Sequence, residues 1–361
     1  MLKKNLFFAF FIVLGTIAGN AQNLSAYHDY LDHFYVFDDG KSYHLEHLPV
    51  QNFQVGATSV AYLDNSGYFK LYHLGDTREL SRSVSHYHVT DNFVVYDSYS
   101  QLFVFDGREK SFLSNAYSHY LAGDSIVAFY DDLKKYLAAF YKDSLYVLED
   151  ALVNDPADNF KVGDNIVAYI DSYDYLKAFY QGEKYELMLA ERPVQYKCGR
   201  NIVGYINKSS LAFEAFYKAE YYQLSAFSPE SFQIADNRIA FVDQSGSFNL
   251  FDGGELYEVS PYAPEFYRLD DYILVFSENN YLKVYQNGQI YELENYIPSK
   301  YMVDYDKLVY LDQENHLKLF DNGETRVISY DKVNSFDLVK NVLVFNTGVN
   351  TIKIYYRGDI Y

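Results

Sequence analysis

The chain has 361 residues, 41 of them Tyr, 28 Phe and none Trp, and a formal net charge of −19. A surface this acidic repels phosphate backbones, which argues against nucleic acid and anionic membranes as partners. The only cysteine is Cys198, so no intrachain disulfide can form and the fold must rest on its core.

Taken from the N-terminus, Lys3 and Lys4 precede an apolar run from Leu6 to Ile17. Gly19-Asn20-Ala21 then supplies small residues of the kind a signal peptidase reads. The run is shorter than the roughly 20 apolar residues of a membrane span, and no cysteine follows it to carry a lipid. The expectation is a signal peptide over residues 1–21 and a repeat domain over 22–361. The protein would be exported (periplasmic, cell-surface or secreted), with no membrane insertion after cleavage; an uncleaved anchor is the alternative. Loss of Lys3 and Lys4 takes the charge from −19 to −21.

Beyond the leader, a short apolar run ending in an aromatic recurs ten times, at Tyr27, Tyr62, Tyr96, Phe129, Tyr169, Tyr205, Phe241, Phe276, Tyr310 and Phe345. The spacing is 33–36 residues, with one interval of 40. A period of this size predicts a stacked array in which each unit needs its neighbours. Unit five divides into four strands: a, Phe160 to Val162; b, Ile166 to Ile170; c, Leu176 to Tyr180; d, Lys184 to Leu187. Asp38-Asp39-Gly40, Asp106-Gly107, Asp252-Gly253, Asn287-Gly288 and Asn322-Gly323 mark c–d hairpins. Asp64-Asn65-Ser66-Gly67 and Asp243-Gln244-Ser245-Gly246 mark b–c turns. All seven prolines, Pro49 to Pro298, fall between strand d and the next strand a, where no ladder hydrogen bond is needed.

Strand b is apolar on both faces, so each sheet is sandwiched between two others. The residue before the strand-b aromatic is often small (Ala26, Ala61, Ala128, Ala168, Gly204, Ala240), which leaves room for bulky rings from the neighbouring sheet. Four-strand meanders stacked in this way resemble the blades of the β-propeller repeat superfamily over residues 24–361. The Trp-Asp of WD40 repeats and the aspartate-box turns of sialidase-like propellers are missing, so no narrower family is implied. The fold class read here is all-β: a propeller-like array of about ten four-stranded antiparallel blades. Two smaller propellers or an open curved stack are the alternatives, and the link from Glu149 to Asn159 is a candidate hinge. Unit one begins at strand b and unit ten stops within strand d, so closure by strand exchange between the termini is not expected.

Each candidate site residue also has a plainer role. Asp91, Asp124, Asp164, Asp236 and Asp271 recur between strands a and b; Asp29, Asp64, Asp131, Asp171, Asp243 and Asp312 recur after strand b. Rings of carboxylates can hold Ca²⁺, but repetition in so many units favours turn chemistry, in which Asp accepts from nearby backbone N–H groups. No cofactor is expected, a divalent cation being the one weak alternative. Eight of nine histidines lie in units one to four, and His86 and His88 share one face of a strand. They are the candidate metal ligands, although neither zinc-protease histidine motif occurs. Lys70, Lys177, Lys283, Lys318 and Lys353 recur in strand c, where they read as stems covering apolar surface with their ammonium groups paired to acids. Arg357-Gly358-Asp359 falls at a hairpin turn, Cys198 at a core position of strand a, and Arg200 where other units carry Asp.

No P-loop, Gly-x-Ser-x-Gly, Gly-x-Gly-x-x-Gly or Cys-x-x-Cys occurs. The expected function is therefore an exported, non-enzymatic binding or scaffold protein that presents a propeller surface to a protein or glycan. The alternative is a hydrolase or lyase with its site across the central cavity.

Overall fold

A computed structural model describes residues 23–150, 159–191 and 193–361. The predicted signal peptide, Pro156 and most of the candidate hinge lie outside the described residues. The ten units form ten antiparallel sheets in chain order; nine have four strands, and the first has three among the described residues. Unit five runs Phe160–Val162, Ile166–Ile170, Tyr175–Tyr180 and Glu183–Leu189. Strand d outlasts its predicted end because a β-bulge between Leu176 and Lys177 restores pairing to Met188 and Leu189. The same c–d irregularity recurs in blades one to nine. A bulge adds local twist, and here it does so on the strand pair that ends each blade.

Turn chemistry explains the hairpins. The two-residue c–d loops Asp39-Gly40, Asn287-Gly288, Asn322-Gly323 and Arg357-Gly358 all have positive φ at both positions, the twist that joins right-handed strands directly. The Arg-Gly-Asp tripeptide is thus a hairpin turn. Two turns differ from expectation. Asp252 belongs to strand c and the loop is Gly253-Gly254. Asp106 opens a four-residue loop, its carboxylate accepting from the N–H groups of Arg108 and Glu109.

Burial is organised blade against blade. Ten apolar clusters each draw side chains from two consecutive blades. The strand-b aromatic faces back toward the preceding blade and the small residue faces forward, so Tyr205 meets Ala168 and Phe216 meets the same cluster. At Gly204 the space is taken by Ile234 and Ile239 of the next blade, whose methyls would lie 2.8 and 2.9 Å from an added Cβ. The tenth cluster joins the chain's ends: Phe37 of blade one packs with Val342, Ile354 and Tyr356 of blade ten. The Tyr356 hydroxyl donates to Asp39 at 2.6 Å. The array is therefore one closed ring of ten, not two smaller rings or an open stack. Blade ten keeps its own fourth strand, Asp359–Ile360, so no strand is exchanged there.

The strand-c lysines pair as read from the sequence. Lys70 bridges Glu46 of the preceding blade and Asp64 of its own (2.7 and 2.8 Å), and Lys318 repeats this with Glu294 and Asp312 (2.7 and 3.5 Å). Lys177, Lys283 and Lys353 contact Asp171, Glu278 and Asp331. The Tyr62 and Tyr310 hydroxyls donate to the same Glu46 and Glu294, so a strand-b Tyr is satisfied where an acid ends the previous strand d.

Tyr169 is fully buried in the interface between blades four and five. Tyr169→Ala is expected to cost about 3–5 kcal/mol, read as a shift in the urea midpoint at unchanged slope; a loss below about 1 kcal/mol would remove the ring from the core.

Candidate functional site

Strand a is the inner strand of each blade, because the a strands of successive blades bond one another. In blades two, five, six and seven the middle residue of the strand makes a side-chain link. Lys161 donates to the Tyr196 carbonyl at 2.9 Å and Lys197 to the Phe232 carbonyl at 2.6 Å. Gln54 donates to the Tyr87 carbonyl and accepts from Val89 N–H, and Gln233 does the same with Tyr267 and Leu269. The a–b turns consequently gather at one end of the central channel, and the d–a links and b–c turns at the other.

The a–b turns form a collar. Backbone bonds pass from blade to blade: Ser125 N–H to Asp164 carbonyl, Asn165 to Arg200, Arg200 to Asp236, and Tyr272 to Tyr305, at 2.5–2.9 Å. The approach is so close that a Cβ on Gly163 would sit 1.7 Å from the Gly199 carbonyl oxygen. Only glycine fits there.

Onto this collar the sequence places its a–b acids, and they do not behave like the acids after strand b. Asp29, Asp64, Asp171, Asp243 and Asp312 each accept two backbone N–H bonds from the residues two and four further on. Asp131 accepts from Leu133 and Lys134. These are turn residues, as expected. Four of the five a–b acids instead converge on two cations. Arg200 of blade six lies 2.6 Å from Asp236 of blade seven, 3.2 Å from Asp164 of blade five and 3.6 Å from Asp124 of blade four. Lys340 of blade ten reaches Asp91 of blade three at 2.5 Å, across the channel past blades one and two.

Electrostatics follow from this crowding. Burial, and then the neighbouring Asp124, pushes Asp164 up to about 6 against the pull of Arg200. Burial, followed by Asp270, Asp236 and Asp164, pushes Asp271 up to about 7. Asp304 of blade nine rises to about 6, chiefly by burial. Low-dielectric surroundings and like charges both favour the neutral acid.

The other feature of the channel is a cavity of about 620 Å³ between blades three and four, lined by His86, His88, Asp97, Tyr117, His119 and Tyr120 among others. The candidate metal ligands therefore both sit at its wall. His86 is largely exposed, with Nδ1 3.6 Å from Asp97. Burial holds His88 below the ordinary histidine range. Among the described residues no group of three or more His, Cys, Asp or Glu is placed to hold a metal ion. Cys198 packs half-buried at the interface of blades five and six, and burial pushes its thiol up to about 12, which keeps it protonated and poorly nucleophilic.

The profile of the 10-bladed beta propeller domain matches residues 18–361. The chain belongs to that family. No curated protein matches the sequence. Among solved structures, the chain is similar to a eukaryotic initiation factor at 10% identity, covering 83% of this chain and 94% of that one with a TM-score of 0.51. It is also similar to PorZ, described as a surface component of the type-IX secretion system of Porphyromonas gingivalis (10% identity, 94% and 59% coverage, TM-score 0.28). A third is Hsv2 of Kluyveromyces marxianus (8%, 78% and 99%, 0.36). At these identities the likeness concerns fold alone.

Sequence reading singled out Arg200 as a departure but missed its partner in role, Lys340, which also stands at an a–b turn. It missed the cavity as well, because the irregularity at Tyr117/His119 that shapes strand a of blade four leaves no periodic signal.

The collar sets a pH dependence. An acid whose folded pKa is raised binds more protons folded than unfolded, so stability falls as pH climbs from about 4 through about 7. The turn acids Asp29, Asp64, Asp171, Asp243 and Asp312 are shifted down, so the stability they add is full above about pH 4 and is lost as pH falls below it. Asp271→Asn is expected to gain on the order of 1 kcal/mol at pH 8 and nothing at pH 4, measured by urea unfolding at the two pH values. Equal effects at both would contradict the raised pKa.

Proposed function

We propose that this ten-bladed propeller is an exported, non-enzymatic binding or scaffold protein that offers its channel and the loops around it to a protein or glycan partner. The observation that carries the reading is how the polar groups are spent. The repeated acids apart from Asp271 are consumed by turn N–H groups or by Arg200 and Lys340, whereas non-repeating histidines collect with Tyr117 and Tyr120 at one cavity in the channel wall. A channel-facing cavity with aromatic lining and a few polar groups is the form binding sites take. Export is supported by the leader-like residues 1–21. The acidic balance favours cationic or neutral partners over polyanions.

A second reading, a hydrolase or lyase acting across the channel, draws on Asp164 and Asp271, since perturbed acids gather at functional sites. The two separate in one experiment: purified protein is titrated with partners recovered from the native envelope, at low and high salt, while product formation is followed. Binding without turnover, weakening with salt for cationic partners, is the expected result. Turnover that Asp164→Asn abolishes in a folded protein would transfer the assignment to the second reading.

A further inference from the structure

From the cavity between blades three and four we infer a binding site for an uncharged oligosaccharide, with a sugar ring laid against Tyr117 and Tyr120 and its hydroxyls bonded by His88 and Ser118. The inference rests on the reading of the chain as a binding protein and names the ligand class.

The site lies where no side chain from the middle of strand a ties blade three to blade four. In blades two, five, six and seven, Gln54, Lys161, Lys197 and Gln233 clasp the next blade from the middle of strand a. In blade three that place is held by His88, which pairs in register with Val95 and makes no such bond. Blades three and four stay joined above and below the gap. Asp91 N–H bonds Asp124 at the collar, and Val95, Leu102 and Val104 pack with Val127 and Phe129 in the core. What remains between them is a space of about 620 Å³, inside the roughly 300–1,000 Å³ range of small-molecule sites.

Its chemistry selects the ligand. One wall is aromatic, with the Tyr117 and Tyr120 rings edge to face at 5.6 Å. The single charged side chain, Asp97, is already engaged: it accepts from Ser85 N–H at 2.6 Å, His86 N–H at 3.0 Å and the Tyr117 hydroxyl at 3.2 Å. An anionic ligand would therefore find no lysine or arginine in the lining, and a cationic one only a carboxylate that already accepts three bonds. The remaining polar groups are the hydroxyls of Ser85, Ser100 and Ser118 and the rings of His86, His88 and His119, each both donor and acceptor when neutral. Burial keeps the His88 ring in that state at neutral pH. Sugar hydroxyls are likewise both donors and acceptors, and the C–H face of a pyranose supplies the apolar surface that the rings need.

The test is saturation-transfer NMR and calorimetry on the full chain, with maltose, cellobiose and N,N′-diacetylchitobiose as neutral probes, a heparin disaccharide as charged probe and N-acetyltyrosine amide as aromatic probe. At least one neutral disaccharide is expected to bind, and His88→Ala to weaken it at least tenfold with the thermal midpoint unchanged. A bulky Ser118→Trp in the same cavity should block it equally. Binding of none of the neutral probes, preference for the charged or aromatic probe, or neutral binding untouched by both variants would each overturn the inference. A protein partner bound by the same preparation would leave the broader binding function standing while this assignment fell.

Discussion

Everything in this molecule depends on the contact between consecutive blades. Each sheet is apolar on both faces, so a single blade has nowhere to hide either face and is not a stable unit. The pairing has a direction: the strand-b ring points back and the small residue beside it points forward, as Tyr205 and Ala168 do. With direction fixed, each unit can only add to the last, and the free faces vanish when Phe37 of the first blade meets Tyr356 of the tenth. The buried side chains on strands b and c thereby join each blade to both of its neighbours around the ring.

Closure has an electrostatic consequence. Among the described residues nine inner strands bring their a–b turns to one mouth of the channel, and many of those turns carry a carboxylate. Collected there, they would repel one another at close range. Two units depart from the pattern. Arg200 draws in acids from blades four, five and seven, and Lys340 reaches Asp91 from the opposite side. The acids that escape pairing hold their protons more tightly, as Asp271 does. The departures from the repeat thus offset a cost that the repeat itself creates.

How much of this could be read from the sequence divides along the same line. Period, strand order, hairpin turns and the lysine–acid pairs are local or nearest-neighbour features, and Tyr169, Asp64, Lys70 and Asn287-Gly288 stand where the repeat puts them. Gly253-Gly254 shows the size of the error in turns, a single residue. Closure and the collar were not legible, because they depend on residues far apart in the chain, such as Lys340 and Asp91. Nor was the cavity, which lies between His88 and the irregular strand a of blade four. In a repeat protein the regular residues announce the architecture, and the site is found among residues that break step.

The closed ring is tested most directly at its seam. Phe37 and Tyr356 lie 5.5 Å apart, ring to ring and edge-on, yet stand at opposite ends of the chain. A double-mutant cycle of Phe37→Ala and Tyr356→Ala, read by urea unfolding, should give a coupling of about 0.5–1.5 kcal/mol, as an aromatic pair in contact does. Additive losses, with no coupling between the two positions, would mean that the ends do not meet in solution and that the ten blades form an open stack.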